Sequence, residues 1–217
     1  MVTVRPDDAL LVVDLQNDFC PGGALAVSEG DRVTPVINRI AAKFTFVAAT
    51  QDWHPPAHVS FASSHPGKKP YELMRIRGLE QVLWPDHCVQ GSRGAEFHRE
   101  LDVRNLLFII RKGTNPKMDS YSTFLENDHR TSTGLSGLFR ELGVKRIFLA
   151  GLATDYCVLY SARDALELGF KVLVIEDGCR GVDFPAGSVE KALREMHQRG
   201  IRTLKSDQLQ GIRRHRG

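Results

Sequence analysis

The chain has 217 residues, of which 42% are hydrophobic and 25% are charged, and its formal net charge is +3. These values are typical of a globular α/β protein with a sizeable core. Because no repeat or linker divides the chain, residues 1–217 are predicted to form one domain. So small a charge does not indicate nucleic-acid binding, and the basic run RRHRG at 213–217 is expected to be a solvated end.

Targeting signals and cysteine usage both favour a cytoplasmic protein. The N-terminal segment shows no secretion signal, and its apolar run ALLVVDL at 9–15 is too short to span a membrane. The four cysteines, at 20, 88, 157 and 179, form no CxxC pair and suggest no disulfide framework. We therefore expect neither nucleic acid nor a membrane as a partner. The choice between a monomer and a homo-oligomer stays open.

Six apolar runs predict the strands of one sheet. The first, residues 9–13, is apolar at every position, which is typical of a strand buried on both faces. The others lie at 44–50, 106–110, 147–150, 171–175 and 201–204, and helical periodicity occurs at 33–44, 135–142, 155–167 and 189–196. Because strands and helices alternate, we predict a three-layer, Rossmann-like α/β/α fold around a six-stranded, mostly parallel sheet.

Residues 55–105 lack sustained periodicity, and at most a short helix is expected near 95–101. A long segment without regular structure inside a compact domain is usually functional or disordered. Trp84 and the motif WPDHCVQG at 84–91 favour a functional role, because disordered segments are poor in such residues.

Polar residues follow four of the predicted strands. Asp14, Asp52 and Lys112 stand at the ends of the first three, and Cys157 follows the fourth. Open α/β sheets bind their ligands at the carboxyl ends of the strands, so these side chains are expected to converge at one edge. Taken singly, Asp14 could equally cap the following loop, and Lys112 could equally be a solvated charge.

Cys157 and the pair Asp52 and His54 suggest two kinds of chemistry. Cys157 falls in the first turn of a predicted helix capped by Thr154, where unpaired N–H groups and the helix dipole favour a thiolate. A small buried core residue would explain Cys157 as well. In an extended chain Asp52 and His54 point to the same side, as metal ligands would, although His-Pro could equally form a turn.

Six motifs in a fixed order cover nearly the whole chain. They are VVDLQNDF at 12–19, TQDWHPPAHVSFA at 50–62, WPDHCVQGS at 84–92, RKGT at 111–114, YSTF at 121–124 and GLATDYCV at 151–158. With these motifs the sequence resembles the nicotinamidase/pyrazinamidase family of the isochorismatase-like cysteine hydrolases. The combination of DWHP with WPDHC distinguishes this branch from relatives that lack a metal.

The resemblance implies hydrolysis of nicotinamide, and also of pyrazinamide, through a thioester, as a step of NAD salvage. It implies a catalytic triad formed by Asp14, Lys112 and Cys157. Ala153 matches the residue after a cis peptide bond, whose N–H joins that of Cys157 in an oxyanion hole. Lys112 would stabilise the thiolate, and Asp14 would accept the thiol proton and return it to the leaving ammonia.

The resemblance also implies one divalent metal ion, with zinc expected and iron or manganese as alternatives. The matching ligands are Asp52, His54 and His87, and the ion is expected to hold the pyridine nitrogen. Either His58 or Ser60 could approach the metal as well, and neither is assigned. The walls of the ring pocket would be Phe19, Trp84 and Tyr121. Two alternatives remain: a hydrolase acting on a different small amide or a vinyl ether, and a non-catalytic module that binds a metal or a partner.

Overall fold

The computed structural model of the protein describes residues 1–211, and the predicted solvated end at 213–217 lies outside the described residues. Within the described range the backbone forms ten strands and four α-helices. The strands are β1 (Val2–Thr3), β2 (Asp8–Val13), β3 (Phe46–Asp52), β4 (Leu73–Ile76), β5 (Leu79–Val82), β6 (Phe108–Lys112), β7 (Arg146–Leu152), β8 (Lys171–Arg180), β9 (Arg202–Leu204) and β10 (Leu209–Gln210). The helices are α1 (Val33–Ala41), α2 (Leu135–Glu141), α3 (Leu159–Glu167) and α4 (Ser188–Gln198).

Six strands form the central sheet in the order β6-β3-β2-β7-β8-β9, and all its neighbouring pairs are parallel. Every residue of β2 is buried, as its uninterrupted apolar run predicts. β1 pairs with β10, and β4 with β5 forms a separate antiparallel hairpin. The predicted six-stranded parallel sheet is therefore confirmed.

Apolar side chains cover both faces of the sheet. Along β2, Leu10 and Val12 belong to the core that includes α1, whereas Leu11 and Val13 belong to the core that includes α2, α3 and α4. Alternate residues of a strand point to opposite faces, so a strand that is apolar throughout can contribute to both layers. The three-layer α/β/α arrangement follows from this pattern. Among residues 1–211, no helix has both the length and the apolar character needed to cross a membrane.

The structure differs from the sequence prediction between residues 55 and 105. In the described chain no helix forms at 95–101, because Phe97 is extended and bridges to Gln16, leaving only a 3₁₀ turn at Arg93–Ala95. The β4–β5 hairpin was not predicted. Its side chains are mostly exposed or half-buried, so it lacks the regular apolar alternation that identifies a strand.

The order of the strands reverses between β2 and β7. Strands β3 and β6 lie on one side of β2, whereas β8 and β9 lie beyond β7. In doubly wound sheets the crevice outside the carboxyl ends of the strands at such a switch point is the usual ligand site. Asp14 directly follows β2, and Cys157 comes shortly after β7.

Candidate active site

Asp14 and Cys157 meet at the switch point, and both are buried. Gly151 at the end of β7 permits the close approach of the strands, because its φ is +128° and a side chain there would clash with the carbonyl oxygen of Val13. The Asp14 carboxylate and the Cys157 sulfur lie within 4.8 Å of each other. Asp14 Oδ1 accepts a hydrogen bond of 2.7 Å from the Thr50 hydroxyl, which holds the carboxylate in place.

Lys112 links the catalytic candidates into one buried group. Its Nζ lies 2.9 Å from Asp14 Oδ2 and 3.5 Å from Cys157 Sγ, and it also forms an ion pair with Asp52 Oδ1. The register of the sheet produces this pair, since Asp52 lies opposite Lys112 where β3 and β6 pair. Lys112 is only 2% exposed, which excludes the alternative interpretation of Lys112 as a solvated charge at a strand end.

The pKa values of this group are governed by burial. Burial raises the pKa of the Cys157 thiol well above its usual value, and Lys112 opposes the shift. Burial also raises the pKa of Asp14 in spite of Lys112. For Lys112 itself, burial acts to lower the pKa, but Asp14 and Asp52 outweigh it and raise the pKa well above its usual value. Burial thus favours the thiol form of Cys157, and the two carboxylates favour the ammonium form of Lys112.

The upward shift of the Cys157 pKa opposes the sequence-based expectation of a thiolate at a helix terminus. The turn that carries Cys157 is π-helical, Thr154–Val158, and α3 begins only after it. Ala153, not Thr154, occupies the N-cap position. The Ser161 hydroxyl donates a hydrogen bond of 2.5 Å to the Cys157 carbonyl. Lys112 does favour the thiolate, as expected, but burial and the nearby carboxylates outweigh it.

Asp52, His54 and His87 bring three metal-ligating groups together. Asp52 Oδ2 lies 3.7 Å from His54 Nε2 and 3.9 Å from His87 Nε2, and all three residues are buried. Asp52 and His54 face the same side, as their spacing predicts. The carboxylate of Asp52 thus uses one oxygen for Lys112 and directs the other toward the two histidines.

Hydrogen bonds fix the tautomers of both histidines in the form that a metal requires. His54 Nδ1 lies 2.9 Å from the carbonyl oxygen of Gly113, and His87 Nδ1 lies 2.7 Å from that of Pro85. A carbonyl only accepts, so each Nδ1 carries a hydrogen, and in the neutral ring the lone pair that a metal requires is on Nε2. Burial lowers the pKa of His87 to about 4, which keeps the ring neutral. A carboxylate and two imidazole nitrogens in this arrangement fit one divalent ion.

His58 and Ser60 lie beside this donor set. His58 Nδ1 is 2.7 Å from Ser60 Oγ, and its Nε2 is 3.2 Å from the carbonyl oxygen of Met118. The His58 ring stacks on His54 with a centroid distance of 4.2 Å. Both nitrogens of His58 thus have protein partners, and a fourth protein ligand stays unassigned.

A cavity of about 30 Å³ lies between Cys157 and the metal donors. It is lined by Phe19, Leu25, Asp52, Trp84, His87, Asp119, Tyr121, Ala153, Tyr156, Cys157 and Val182. The three predicted ring-wall residues are therefore brought together, and the Leu152–Ala153 peptide bond is cis, as the resemblance implies. A larger surface cleft of about 510 Å³, beside Cys20 and Arg93, contains none of the predicted site residues.

Several residues around the site were not predicted from the sequence. Gln16 holds both backbone groups of Asp52: its Nε2 donates to the carbonyl oxygen and its Oε1 accepts from the N–H, each at 2.8 Å. Asp119, Tyr156 and Val182 line the cavity from three different segments. Gln16 lies inside the motif at 12–19, so its position in that motif could have identified it as a site residue. The other residues are brought to the site by contacts between distant segments, which leave no local sequence pattern.

Residues 8–208 match the sequence model of the Isochorismatase domain. The chain therefore belongs to the isochorismatase family. Among its curated relatives, the nicotinamidase of Escherichia coli K12 is 48% identical over 199 residues, covering 90% of this chain and 93% of the relative. The nicotinamidase of Acinetobacter baylyi is 46% identical over 198 residues, covering 91% and 92%.

Comparison with solved structures supports membership of the same family. An Acinetobacter baumannii nicotinamidase/pyrazinamidase superposes with a TM-score of 0.92 at 49% identity, covering 94% of this chain and 98% of that one. An L. infantum relative solved with nicotinate has a TM-score of 0.84 at 38% identity, with coverage of 96% and 98%. The pyrazinamidase of Pyrococcus horikoshii, solved with zinc, has a TM-score of 0.75 at 39% identity, with coverage of 92% and 99%.

Proposed function

We propose that the protein is a metal-dependent cysteine amidohydrolase that converts nicotinamide to nicotinate and ammonia in NAD salvage, and that it also accepts pyrazinamide. The observation that carries this proposal is that one cavity is lined by the Cys157 thiol, by two of the three metal donors and by the aromatic ring walls. The nicotinamidase relatives and the nicotinate complex of the L. infantum protein support the choice of substrate.

Asp14 and Cys157 are proposed to carry out the bond-breaking steps. Asp14 accepts the thiol proton as Cys157 Sγ attacks the carboxamide carbon, and burial strengthens Asp14 as a base by raising its pKa. The C–N bond then breaks, and the proton passes from Asp14 to the leaving nitrogen, which departs as ammonia. Water next gives a proton to Asp14 and attacks the thioester carbon. That proton returns to Sγ as the C–S bond breaks, and the carboxylic acid formed loses its own proton to solvent and leaves as nicotinate.

Lys112 and two backbone amides are proposed to stabilise the charges that develop. Lys112, 3.5 Å from Cys157 Sγ, stabilises the sulfur as it loses its proton. The N–H groups of Ala153 and Cys157 are the proposed donors to the carboxamide oxygen as it becomes negative. One such donor contributes ~3–4 kcal/mol in another hydrolase.

Asp52, His54 and His87 are proposed to hold one divalent metal ion. Zinc is our first choice, because its catalytic sites use imidazole and carboxylate ligands and the P. horikoshii relative was solved with zinc; iron and manganese are the alternatives. When bound, the ion supplies a Lewis acid that holds the ring nitrogen and draws electron density from the carboxamide.

The walls of the cavity must move outward to admit the ring. A cavity of about 30 Å³ is far smaller than the ~150 Å³ that accommodates benzene in an engineered protein core. Phe19 and Trp84 are buried in the core cluster. Residues 181–187 have no helix or strand, and they are attached through the Asp155 carboxylate and the Tyr156 hydroxyl. This segment, which includes Val182, is therefore proposed to be the wall that yields.

Three sequence-based predictions accompany this proposal. Residues 1–217 are proposed to form one domain, which the family match over 8–208 supports. All four cysteines are free and buried, which supports a reducing compartment such as the cytoplasm. The absence of a nucleic-acid or membrane partner stays a prediction, and the oligomeric state is open.

Ammonia and nicotinate release tests the proposed function directly. Purified protein is analysed for bound metal, and then nicotinamide is supplied to the metal-loaded form and to a chelator-treated form. We expect one metal ion per chain, equal amounts of nicotinate and ammonia from the loaded form, and loss of activity after chelation. Hydrolysis of another small amide without any turnover of nicotinamide would contradict the assigned substrate.

A further inference from the structure

Asp119 is a buried carboxylate that the proposed reaction does not use. It is 4% exposed and lines the same cavity as Asp52 and His87. One of its oxygens lies within 4.8 Å of ring nitrogens of both His54 and His58. It reaches the site from the loop after β6.

The hydrogen bonds of Asp119 come from neutral donors. Its Oδ1 accepts from the Ser120 N–H at 2.8 Å, and its Oδ2 accepts from Gln81 Nε2 at 2.9 Å. Lys112, the cation of the site, is shared by Asp14 and Asp52, and among residues 1–211 no lysine or arginine pairs with Asp119. A buried carboxylate without a cation of its own is expensive unless another positive charge lies nearby.

A divalent ion held by Asp52, His54 and His87 would supply that charge. The Asp119 carboxylate lies close to ring nitrogens of His54 and His58, whereas the Asp52 carboxylate lies close to those of His54 and His87. Asp119 therefore lies next to the three metal donors and is not one of them. An ionised carboxylate has about four acceptor positions, and Asp119 has used two of them. Metal sites with three protein ligands complete their coordination with water or substrate.

We propose that Asp119 is the outer carboxylate of the metal centre, which strengthens metal binding by its charge and accepts a hydrogen bond from a water ligand of the ion. This inference rests on the proposed metal-dependent function. It makes Asp119 a positioning residue, because it acts on the ion and its water rather than on the substrate. Groups of this kind orient and tune metal ligands from outside the ligand set.

Metal affinity measured on Asp119→Asn tests this role. Metal-free protein is titrated with Zn²⁺ against a chromophoric chelator, and with Co²⁺ while its visible spectrum is followed. We expect Asp119→Asn to bind both ions ~10–100-fold more weakly than the wild type, with an unchanged Co²⁺ spectrum. The matched control is Asp128→Asn, which removes a partly exposed carboxylate of the same loop. Its partners are the N–H groups of Arg130 and Thr131 and the Thr131 hydroxyl, and the metal affinity of this variant should equal that of the wild type.

Thermal unfolding with and without Zn²⁺ gives a second readout. Because Asn replaces one acceptor oxygen of Asp119 with an NH₂ group, the variant should lose one hydrogen bond and unfold at a lower temperature without metal. The readout is therefore the rise in unfolding temperature on adding Zn²⁺, which should be smaller in the variant than in the wild type. Affinity within about twofold of wild type would overturn the proposal, and so would an equal rise in unfolding temperature on adding Zn²⁺ to the variant and to the wild type. A changed Co²⁺ spectrum would make Asp119 a direct ligand and overturn the outer position. Wild-type protein that binds no metal would instead refute the proposed function itself.

Discussion

Lys112 and Asp52 form a buried ion pair that joins the candidate nucleophile to the metal donors. Parallel pairing of β3 and β6 sets the two residues opposite each other. Asp52 gives one oxygen to Lys112 and directs the other toward His54 and His87, while Lys112 reaches Cys157 Sγ at 3.5 Å. The thiol and the metal donors therefore belong to one connected electrostatic group. A change of charge at the metal donors should shift the pKa of the Cys157 thiol, and a change at the thiol should shift the pKa values of the donors.

Alkylation of Cys157 by iodoacetamide should accelerate as the pH rises through 9. Burial holds the thiol pKa above its usual value, so the reactive thiolate fraction keeps increasing in that range. In Lys112→Met the cation that opposes this shift is gone, and alkylation at a fixed pH should slow by ~10-fold or more. A rate that levels off below pH 8 in the wild type would mean that the resting group is already a thiolate.

Asp14→Asn should have the opposite effect on alkylation. Asp14 raises the pKa of Cys157, so removing its charge should lower that pKa and speed alkylation near pH 8. Hydrolysis of nicotinamide should nevertheless fall by ~10²–10⁴-fold, since the proton acceptor is lost. Comparing this variant with Lys112→Met separates thiol activation from proton transfer. Slower alkylation together with intact hydrolysis would refute the role of Asp14.

Benzamide should be a much poorer substrate than nicotinamide, although the two have nearly the same shape. Benzamide has no ring nitrogen for the metal to hold, and misplacement of the carboxamide can reduce the rate by ~10²-fold. Pyrazinamide keeps a nitrogen in the same position and should be hydrolysed. Steady-state kcat/KM values for the three amides provide the test. Equal values for benzamide and nicotinamide would show that the metal does not anchor the ring.

Tyr156→Phe should ease substrate entry while leaving the chemical step intact. The Tyr156 hydroxyl donates a hydrogen bond of 2.6 Å to the carbonyl oxygen of Phe184, and a bond of this kind contributes about 0.5–1.5 kcal/mol. Because this bond holds segment 181–187 in the closed position, losing it should lower KM about 2–10-fold with little change in kcat. Tyr160→Phe removes a hydroxyl outside the cavity and should match the wild type. An unchanged KM in Tyr156→Phe would exclude this segment as the yielding wall.

The sheet and the main site residues could be predicted because they stand in patterned sequence. Strand β2 is apolar throughout, and Asp14, Asp52 and Lys112 mark strand ends that a parallel sheet must bring to one edge. Gln16 and Asp119 could not be predicted in the same way, because their roles depend on contacts with distant segments. The resting protonation of Cys157 also lies beyond sequence reasoning, since it depends on the degree of burial.

Activity of metal-loaded Cys157→Ala on nicotinamide tests the central claim most directly. The variant keeps the metal donors and the cavity walls, and removes only the sulfur nucleophile. We predict that it contains as much metal as the wild type and binds nicotinamide, but that ammonia release falls by ~10⁴-fold or more. Ammonia release at the wild-type rate from this variant would contradict a thioester mechanism and show that the metal site alone performs the hydrolysis.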